Sequence, residues 1–187
     1  GDVKELVTEG KKYGFKVVKP EPLKFKKQII SSTLIRDLLK KGKIKKVNKL
    51  LSRNWVISGA VRRGRRLGKK LGFPTCNMDI NNYISAKHGV YSIKATIDDS
   101  KIFLGGVAYL GYRPTFGGKK ILLEVNLFGF NGNLYRKTLN VYFCYLIRGD
   151  KTFKNKMSLI NQMKKDLTKA NFDLKKKIIL WLKKIWI

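Results

Sequence analysis

The sequence predicts a mainly β domain, a small antiparallel barrel, set between helical segments. Three observations predict it. Apolar and polar residues alternate in short runs between Trp55 and Leu146, turn residues separate those runs, and both flanks return to a helical period. With 43% hydrophobic residues in 187, the chain can bury a real core, which excludes a disordered polymer.

Taken in order, residues 1–53 read as helix, strand, extended loop and two helices. Lys4 to Tyr13 is helix-compatible and Gly14 ends it, while Phe15-Lys16-Val17-Val18 reads as a short strand. Pro20 and Pro22 break regular structure. Ser31-Ser32-Thr33 supplies an N-cap for a helix with Leu34, Ile35, Leu38 and Leu39 on one face, closed near Gly42. A second short helix covers Ile44 to Leu51.

Residues 54–168 carry the strands: Val56 to Val61, Val90 to Ile97, Ile102 to Tyr109, Leu122 to Phe128 and Leu139 to Leu146. Asp98-Asp99-Ser100, Gly117-Gly118 and Asn131-Gly132-Asn133 turn between them. Five or six strands this short leave open edges unless they close, which favours a barrel over a sandwich. A helical period returns after Asp150, with Phe153, Met157, Ile160 and Met163 nearly in line. Asn171 and Asp173 restart a second helix, residues 169–187, basic and amphipathic. It reads either as a helix docked on the barrel or as a membrane-surface helix.

Charge is the loudest compositional signal, 42 Lys+Arg against 12 Asp+Glu, a formal +30. Such a field attracts nucleic acid, anionic lipid or phosphorylated ligands. The lysines are spread along the whole chain instead of forming one stripe, so compositional drift explains them better than a selected nucleic-acid surface. Two cysteines, Cys76 and Cys144, make neither a disulfide framework nor a metal-ligand pattern, and they read as reduced thiols of a cytoplasmic protein. The single histidine, His88, excludes His-rich metal sites. No run approaches the ~20 apolar residues of a membrane span, and no signal peptide is visible. The first residue is not Met, which leads us to expect that the sequence starts inside a longer protein.

The chemistry concentrates in Gly59 to Asn77. This stretch leaves a strand, crosses Gly64, Gly68 and Gly72 at intervals of four among arginines and lysines, and ends in Pro74-Thr75-Cys76-Asn77. Glycines let a ligand approach the backbone, and basic residues among them favour a polyphosphate, although a mobile surface turn has the same composition. The spacing is neither a P-loop nor a dinucleotide fingerprint. Thr75 and Asn77, two residues apart on an extended segment, share a side, and their neutral oxygens suit Mg²⁺ shared with substrate phosphates. Downstream, Gly111-Tyr112-Arg113-Pro114-Thr115-Phe116 sets an arginine and an aromatic beside a turn. Glu124 is a lone carboxylate in an apolar strand, either a lysine's partner or a catalytic base.

Six elements in this order resemble the riboflavin kinase domain of bacterial bifunctional riboflavin kinase/FAD synthetases. They are the glycine-rich loop and Gly72-Phe73-Pro74-Thr75-Cys76-Asn77, both within Gly59 to Asn77, then Gly89-Val90-Tyr91, Gly111 to Phe116, Leu123-Glu124-Val125 and Phe130 to Tyr135. The resemblance implies a six-stranded Greek-key barrel followed by a helix, with ATP, riboflavin and FMN as ligands and Mg²⁺ as cofactor. It implies that Pro74, Thr75 and Asn77 bind the nucleotide, with Thr75 and Asn77 also at Mg²⁺. It also implies that the loop from Gly64 to Gly72 covers the phosphates, that Glu124 is the base, and that Arg113 and Phe116 meet the substrate. Cys76, Tyr112 and Asn126 stand where alanine, threonine and histidine are common, and none of these removes an assigned group.

Ile30-Ser31-Ser32-Thr33-Leu34-Ile35-Arg36 is similar to a signature near the end of the adenylyltransferase module of the same proteins. The resemblance makes residues 1–53 an α/β remnant of that nucleotidyltransferase module, with Ser31, Ser32, Thr33 and Arg36 at nucleotide phosphates. The module's early histidine motif has no counterpart here, so FAD synthesis by this chain is not expected. The rival class is a basic small-barrel module that binds nucleic acid without catalysis. Specific nucleic-acid partners are not expected, and self-association is expected to be weak at most.

Overall fold

The computed structural model describes residues 2–64, 67–80, 83, 86–115 and 118–185. The chain packs as two compact units, divided between Ser32 and Thr33.

In the first unit, α1 (Val3–Tyr13) starts at Asp2, whose carboxylate accepts from the Glu5 N–H at 2.9 Å, and stops at Gly14 with φ 74°. Both ends are therefore capped by chemistry visible in the sequence. A two-stranded hairpin follows, β1 (Lys24–Phe25) with β2 (Gln28–Ile29). Phe15 to Val18 forms no strand, contrary to expectation. A strand needs a partner ladder, and the hairpin supplies its own pairing from residues beyond the two prolines.

The second unit begins with α2 (Ser32–Lys40, from Thr33 onward) and α3 (Ile44–Leu51). The pattern changes at residue 53, but packing divides the chain earlier, because α3 is built onto the barrel. Ile44, Val47 and Leu50 are buried. The Asn48 amide donates to the Phe143 carbonyl at 2.8 Å and accepts from the Trp55 N–H at 2.8 Å.

Six strands close the barrel: β3 (Val56–Arg62), β4 (Cys76–Asp79), β5 (Gly89–Ile97), β6 (Leu104–Thr115), β7 (Gly118–Leu127) and β8 (Thr138–Gly149). Their order is β3-β4-β7-β6-β5-β8, antiparallel throughout, and the β4–β7 and β5–β8 neighbours give the Greek-key connections. Alternate residues point inward: Ile57 and Val61, Tyr91 and Ile93, Leu123 and Val125, Leu139, Val141 and Phe143 are all buried. Closure removes the open edges that so small a sheet would otherwise expose.

Two elements differ from the sequence expectation. A short helical turn, α4 (Leu67–Lys70), sits inside the glycine-rich loop. Residues 156–185 form one helix, α5 (Lys156–Ile185), where two were expected. No glycine or proline interrupts that stretch, so polar Asn171 and Asp173 do not break it. Its N-terminus is set by Asn155, whose side chain accepts from the Ser158 N–H at 2.9 Å. The helix lies against the outside of the barrel: Ala170 and Leu167 pack on Val90 and Val107, and Leu174 on Cys144 and Tyr145.

Candidate active site

Strand pairing sets one row of residues side by side across five strands. Asn77 on β4 lies opposite Glu124 on β7, Glu124 opposite Tyr109 on β6, Tyr109 opposite Val90 on β5, and Val90 opposite Arg148 on β8. Directly paired residues share a face of the sheet, here the outer one, because their neighbours Leu123 and Leu110 point into the core. Glu124, Tyr109, Val90 and Arg148 line a cleft of about 810 Å³ between the barrel, the glycine-rich loop and α5. Asn77 lines a second pocket of about 390 Å³, with Arg62, Lys69, Asn133 and Tyr135. Thr75 borders both. Two ligands can therefore sit end to end, with Thr75 where they meet and Glu124 one strand from Asn77.

The three glycines of the loop act in different ways. A Cβ on Gly64 would lie 1.5 Å from Asn77 Nδ2, and one on Gly68 would lie 2.4 Å from the Phe73 carbonyl and 2.8 Å from Thr75 Oγ1. These two are glycine because the loop backbone presses directly on the site residues. Gly72 has open space around it and instead adopts φ 84°, a left-handed turn that other residues resist. Pro74 precedes the strand, and its carbonyl accepts a 2.7 Å hydrogen bond from the Asn126 amide on β7. That bond fixes the entry of Thr75 and Asn77 into their strand.

Asn77 is buried, and among the described residues its Oδ1 has no hydrogen-bond partner. A buried acceptor without a donor costs free energy unless a ligand satisfies it. Among the described residues no group of three or more His, Cys, Asp or Glu could hold a metal, so a cation here would rely on neutral oxygens and on its ligand's phosphates. The residues present fit Mg²⁺ on that basis. Cys76, between the two, keeps its proton: burial pushes its thiol up to about 11.

Three of the chain's 12 acidic residues, Glu124, Asp150 and Asp166, line the large cleft. Lys70, Arg148, Lys151 and Lys156 line it as well, so the cleft is of mixed charge within a chain with 42 Lys+Arg. The Tyr109 phenol is pushed up to about 12, first by burial and then by the adjacent Asp150, with Glu124 adding to it. It therefore remains a neutral donor beside Glu124. His88 is absorbed structurally, edge-on to the Tyr112 ring at 4.4 Å with Nδ1 4.0 Å from Asp150.

A family model described as riboflavin kinase matches residues 51–173, about two-thirds of the chain. The chain belongs to the riboflavin kinase family. Curated relatives named bifunctional riboflavin kinase/FMN adenylyltransferase include one from Buchnera aphidicola subsp. Schizaphis graminum, 40% identical over 89% of this chain and 54% of the relative. Another, from Haemophilus influenzae, is 36% identical over 91% of this chain and 55% of its own length. The chain thus spans about half the length of the curated relatives it matches. A solved structure named macrolide-efflux protein, from Streptococcus pneumoniae, aligns with a TM-score of 0.71 at 31% identity, covering 86% of this chain and 53% of that one. Among the described residues no helix is long and apolar enough to cross a membrane.

Several of the expected residues line the two cavities. Glu124, Gly68 and Thr75 line the large cleft, and Gly64, Pro74, Thr75 and Asn77 line the second pocket. Arg113 has its backbone in β6 opposite Lys120, its side chain lies outside the description, and Phe116 lies outside the described residues. Ser31, Ser32, Thr33 and Arg36 surround the start of α2 and line neither cavity. Sequence reasoning gave no site role to Tyr109, Arg148, Asp150 and Asp166, and it noted Asn126 only as a departure from the family pattern. Strand register brings Tyr109, Asn126 and Arg148 to one face, the residue after β8 adds Asp150, and docking of α5 adds Asp166; the one available signal was Arg148 as a charge at the end of the apolar run Val141 to Ile147.

Proposed function

We propose that this chain phosphorylates riboflavin on its ribityl 5′-hydroxyl, taking the γ-phosphoryl group from ATP and releasing FMN. The observation that carries this reading is the row in which Glu124 faces the large cleft one strand away from Asn77, with Thr75 bordering both cavities. Riboflavin takes the large cleft, where Val90, Val107, Leu71 and Phe73 offer apolar contact to the ring. ATP takes the second pocket, where Arg62 and Lys69 offer positive charge to its phosphates and Gly64 brings the loop backbone close to Asn77.

Glu124 accepts the proton of the 5′-hydroxyl as its oxygen attacks phosphorus, and ADP leaves on the opposite side. Thr75 and Asn77 would hold Mg²⁺, which when bound neutralises phosphate charge. The protein's share of the work is alignment and fixed charge, which is what phosphoryl transfer chiefly needs. A binding module for nucleic acid gains no support from the relatives named above. The Ser31–Arg36 segment resembles an adenylyltransferase signature, and we expect this chain, with its one histidine, to make no FAD unaided. Incubation with riboflavin, ATP and Mg²⁺, followed by chromatography, tests the reading: FMN accumulates if it is right, and riboflavin remains unchanged if it is wrong.

A further inference from the structure

The last part of α5 carries a pattern that phosphoryl transfer leaves unused. The helix advances along the barrel towards the start of β6. Leu167 and Ala170 pack on Val90 and Val107, and Leu174 reaches Gly105, where an added Cβ would lie 3.1 Å from Leu174 Cδ1. β6 begins at Leu104 and β7 ends at Leu127, so the wall these two strands form stops at this rim. The helix does not stop with it. Its backbone continues to Ile185, and at 1.5 Å per residue the stretch past Leu174 is about 16 Å long. Ile102 and Phe103, just before β6, and Phe172 on the helix are exposed.

Residues 174–187 consist of nine large apolar residues and five lysines, with no acidic residue, glycine or proline among them. At helical spacing Ile178, Trp181, Leu182 and Ile185 fall on one side of α5, and Lys176, Lys177, Lys183 and Lys184 fall on the other. Lys175 and Leu180 depart from this division. Compositional drift enriches lysine along the chain, but it does not sort lysines from apolar residues by helix face. Two of the chain's three tryptophans, Trp181 and Trp186, also belong to this stretch.

Charge decides which occupant such a helix suits. A second copy would set lysines against lysines in a chain of net charge +30, which repels. Nucleic acid would meet the lysines and leave the apolar side in water. An anionic lipid surface satisfies both sides: its headgroups attract the lysines, and its acyl boundary takes the apolar side, with tryptophan at the interface. A segment of about 16 Å cannot cross a hydrocarbon core of ~30 Å, so it lies on the surface. We infer that α5 beyond Leu174 is a membrane-surface segment that lies in the plane of an anionic bilayer and holds the chain there.

The test is sedimentation of the full chain with vesicles at physiological salt. One set is pure phosphatidylcholine, and the other contains about 30% phosphatidylglycerol to mimic an anionic leaflet. Three proteins are compared: the wild type, Trp181→Asp/Leu182→Asp, and Lys176→Gln/Lys177→Gln/Lys183→Gln/Lys184→Gln. The wild type should bind the anionic vesicles at least about tenfold more tightly than the neutral ones. Each variant should lose about tenfold or more of that affinity, because binding draws on both apolar burial and charge. Melting temperature and FMN formation without vesicles should stay near wild type, since every substitution lies past the barrel contacts. Equal binding of wild type and Trp181→Asp/Leu182→Asp would show that the chain's overall charge suffices, and would overturn the inference. Equal binding to both kinds of vesicle, or to neither, would overturn it too. Should Trp181→Asp/Leu182→Asp fail to fold, wild-type vesicle affinity in the fourfold Lys→Gln variant would still overturn it. Homopolymeric RNA that binds the wild type tightly, where anionic vesicles do not, would assign the lysines to nucleic acid instead.

Discussion

The glycine-rich loop and the strand row border the same two cavities, yet they are specified in opposite ways. In the loop, Gly64 and Gly68 matter for what they lack, since any Cβ would strike Asn77 Nδ2, the Phe73 carbonyl or Thr75 Oγ1. In the row, Asn77, Glu124, Tyr109 and Arg148 matter for what their side chains carry, and strand register alone sets them level. The loop acts with backbone and empty space, and the row with charge and hydrogen bonds. Substitutions in the two regions should therefore fail differently, the row losing chemistry and the loop losing geometry.

The largest effect belongs to the row. Glu124→Gln keeps the shape and removes the base, so FMN formation should fall about 10²–10⁴-fold, the range for loss of a general base. ATP binding and the melting temperature should be nearly unchanged, as equilibrium titration and calorimetry would report. Turnover within threefold of wild type would refute the assignment.

Gly64→Ala is the corresponding test of the loop. The new methyl must displace the Asn77 amide, which has no free space because the side chain is buried. We expect kcat/KM for ATP to drop about 10–100-fold, the scale on which small misplacements cost rate. The KM for riboflavin should move much less. Equal losses for both substrates would mean that the loop supports the whole site and not the nucleotide half.

Thr75→Ala lies at the junction and should act on both halves more weakly. Deleting one hydroxyl lowers kcat/KM about tenfold, in line with the loss of a single hydrogen-bonding group. A shift of the Mg²⁺ titration to higher concentration should accompany it. Unchanged metal dependence would reduce Thr75 to a turn residue.

Gly72→Ala should have the smallest catalytic effect. Nothing lies within 4 Å of its Cβ position, so the cost is the left-handed backbone alone, about 1 kcal/mol. The melting temperature should fall by a few degrees with activity per folded molecule preserved. If Gly72→Ala impairs ATP use as much as Gly64→Ala, close approach and backbone conformation are not separable in this loop.

The contrast also explains what could be read from the sequence. The ends of α1 and α2 were legible because they depend on local chemistry: Asp2 and Gly14 bound α1, and Gly42 follows α2 with φ 70°. Barrel strands were legible from alternation, apart from β4, whose four residues are too few to show a period; outside the barrel the two-residue strands β1 and β2 were missed and Phe15 to Val18 misled. Glu124, Thr75 and Asn77 stood out through composition and resemblance, since an acid in an apolar strand and a Pro-Thr-x-Asn sequence are local signals. Tyr109, Arg148, Asp150 and Asp166 were not legible. They come from β6, the end of β8 and α5, and only closure of the barrel and docking of the helix bring them to one cleft. The distinct purposes of Gly64, Gly68 and Gly72 were equally hidden, because their equal spacing concealed unequal surroundings.

The central claim is that two substrates lie end to end, one on each side of Thr75, and that the phosphoryl group passes directly between them. Initial rates measured with riboflavin and ATP varied together test this most directly. The account predicts double-reciprocal lines that intersect, as a ternary complex requires, and no phosphate on the protein when γ-labelled ATP is supplied alone. Parallel lines together with labelled protein would indicate a phosphorylated enzyme intermediate and contradict it.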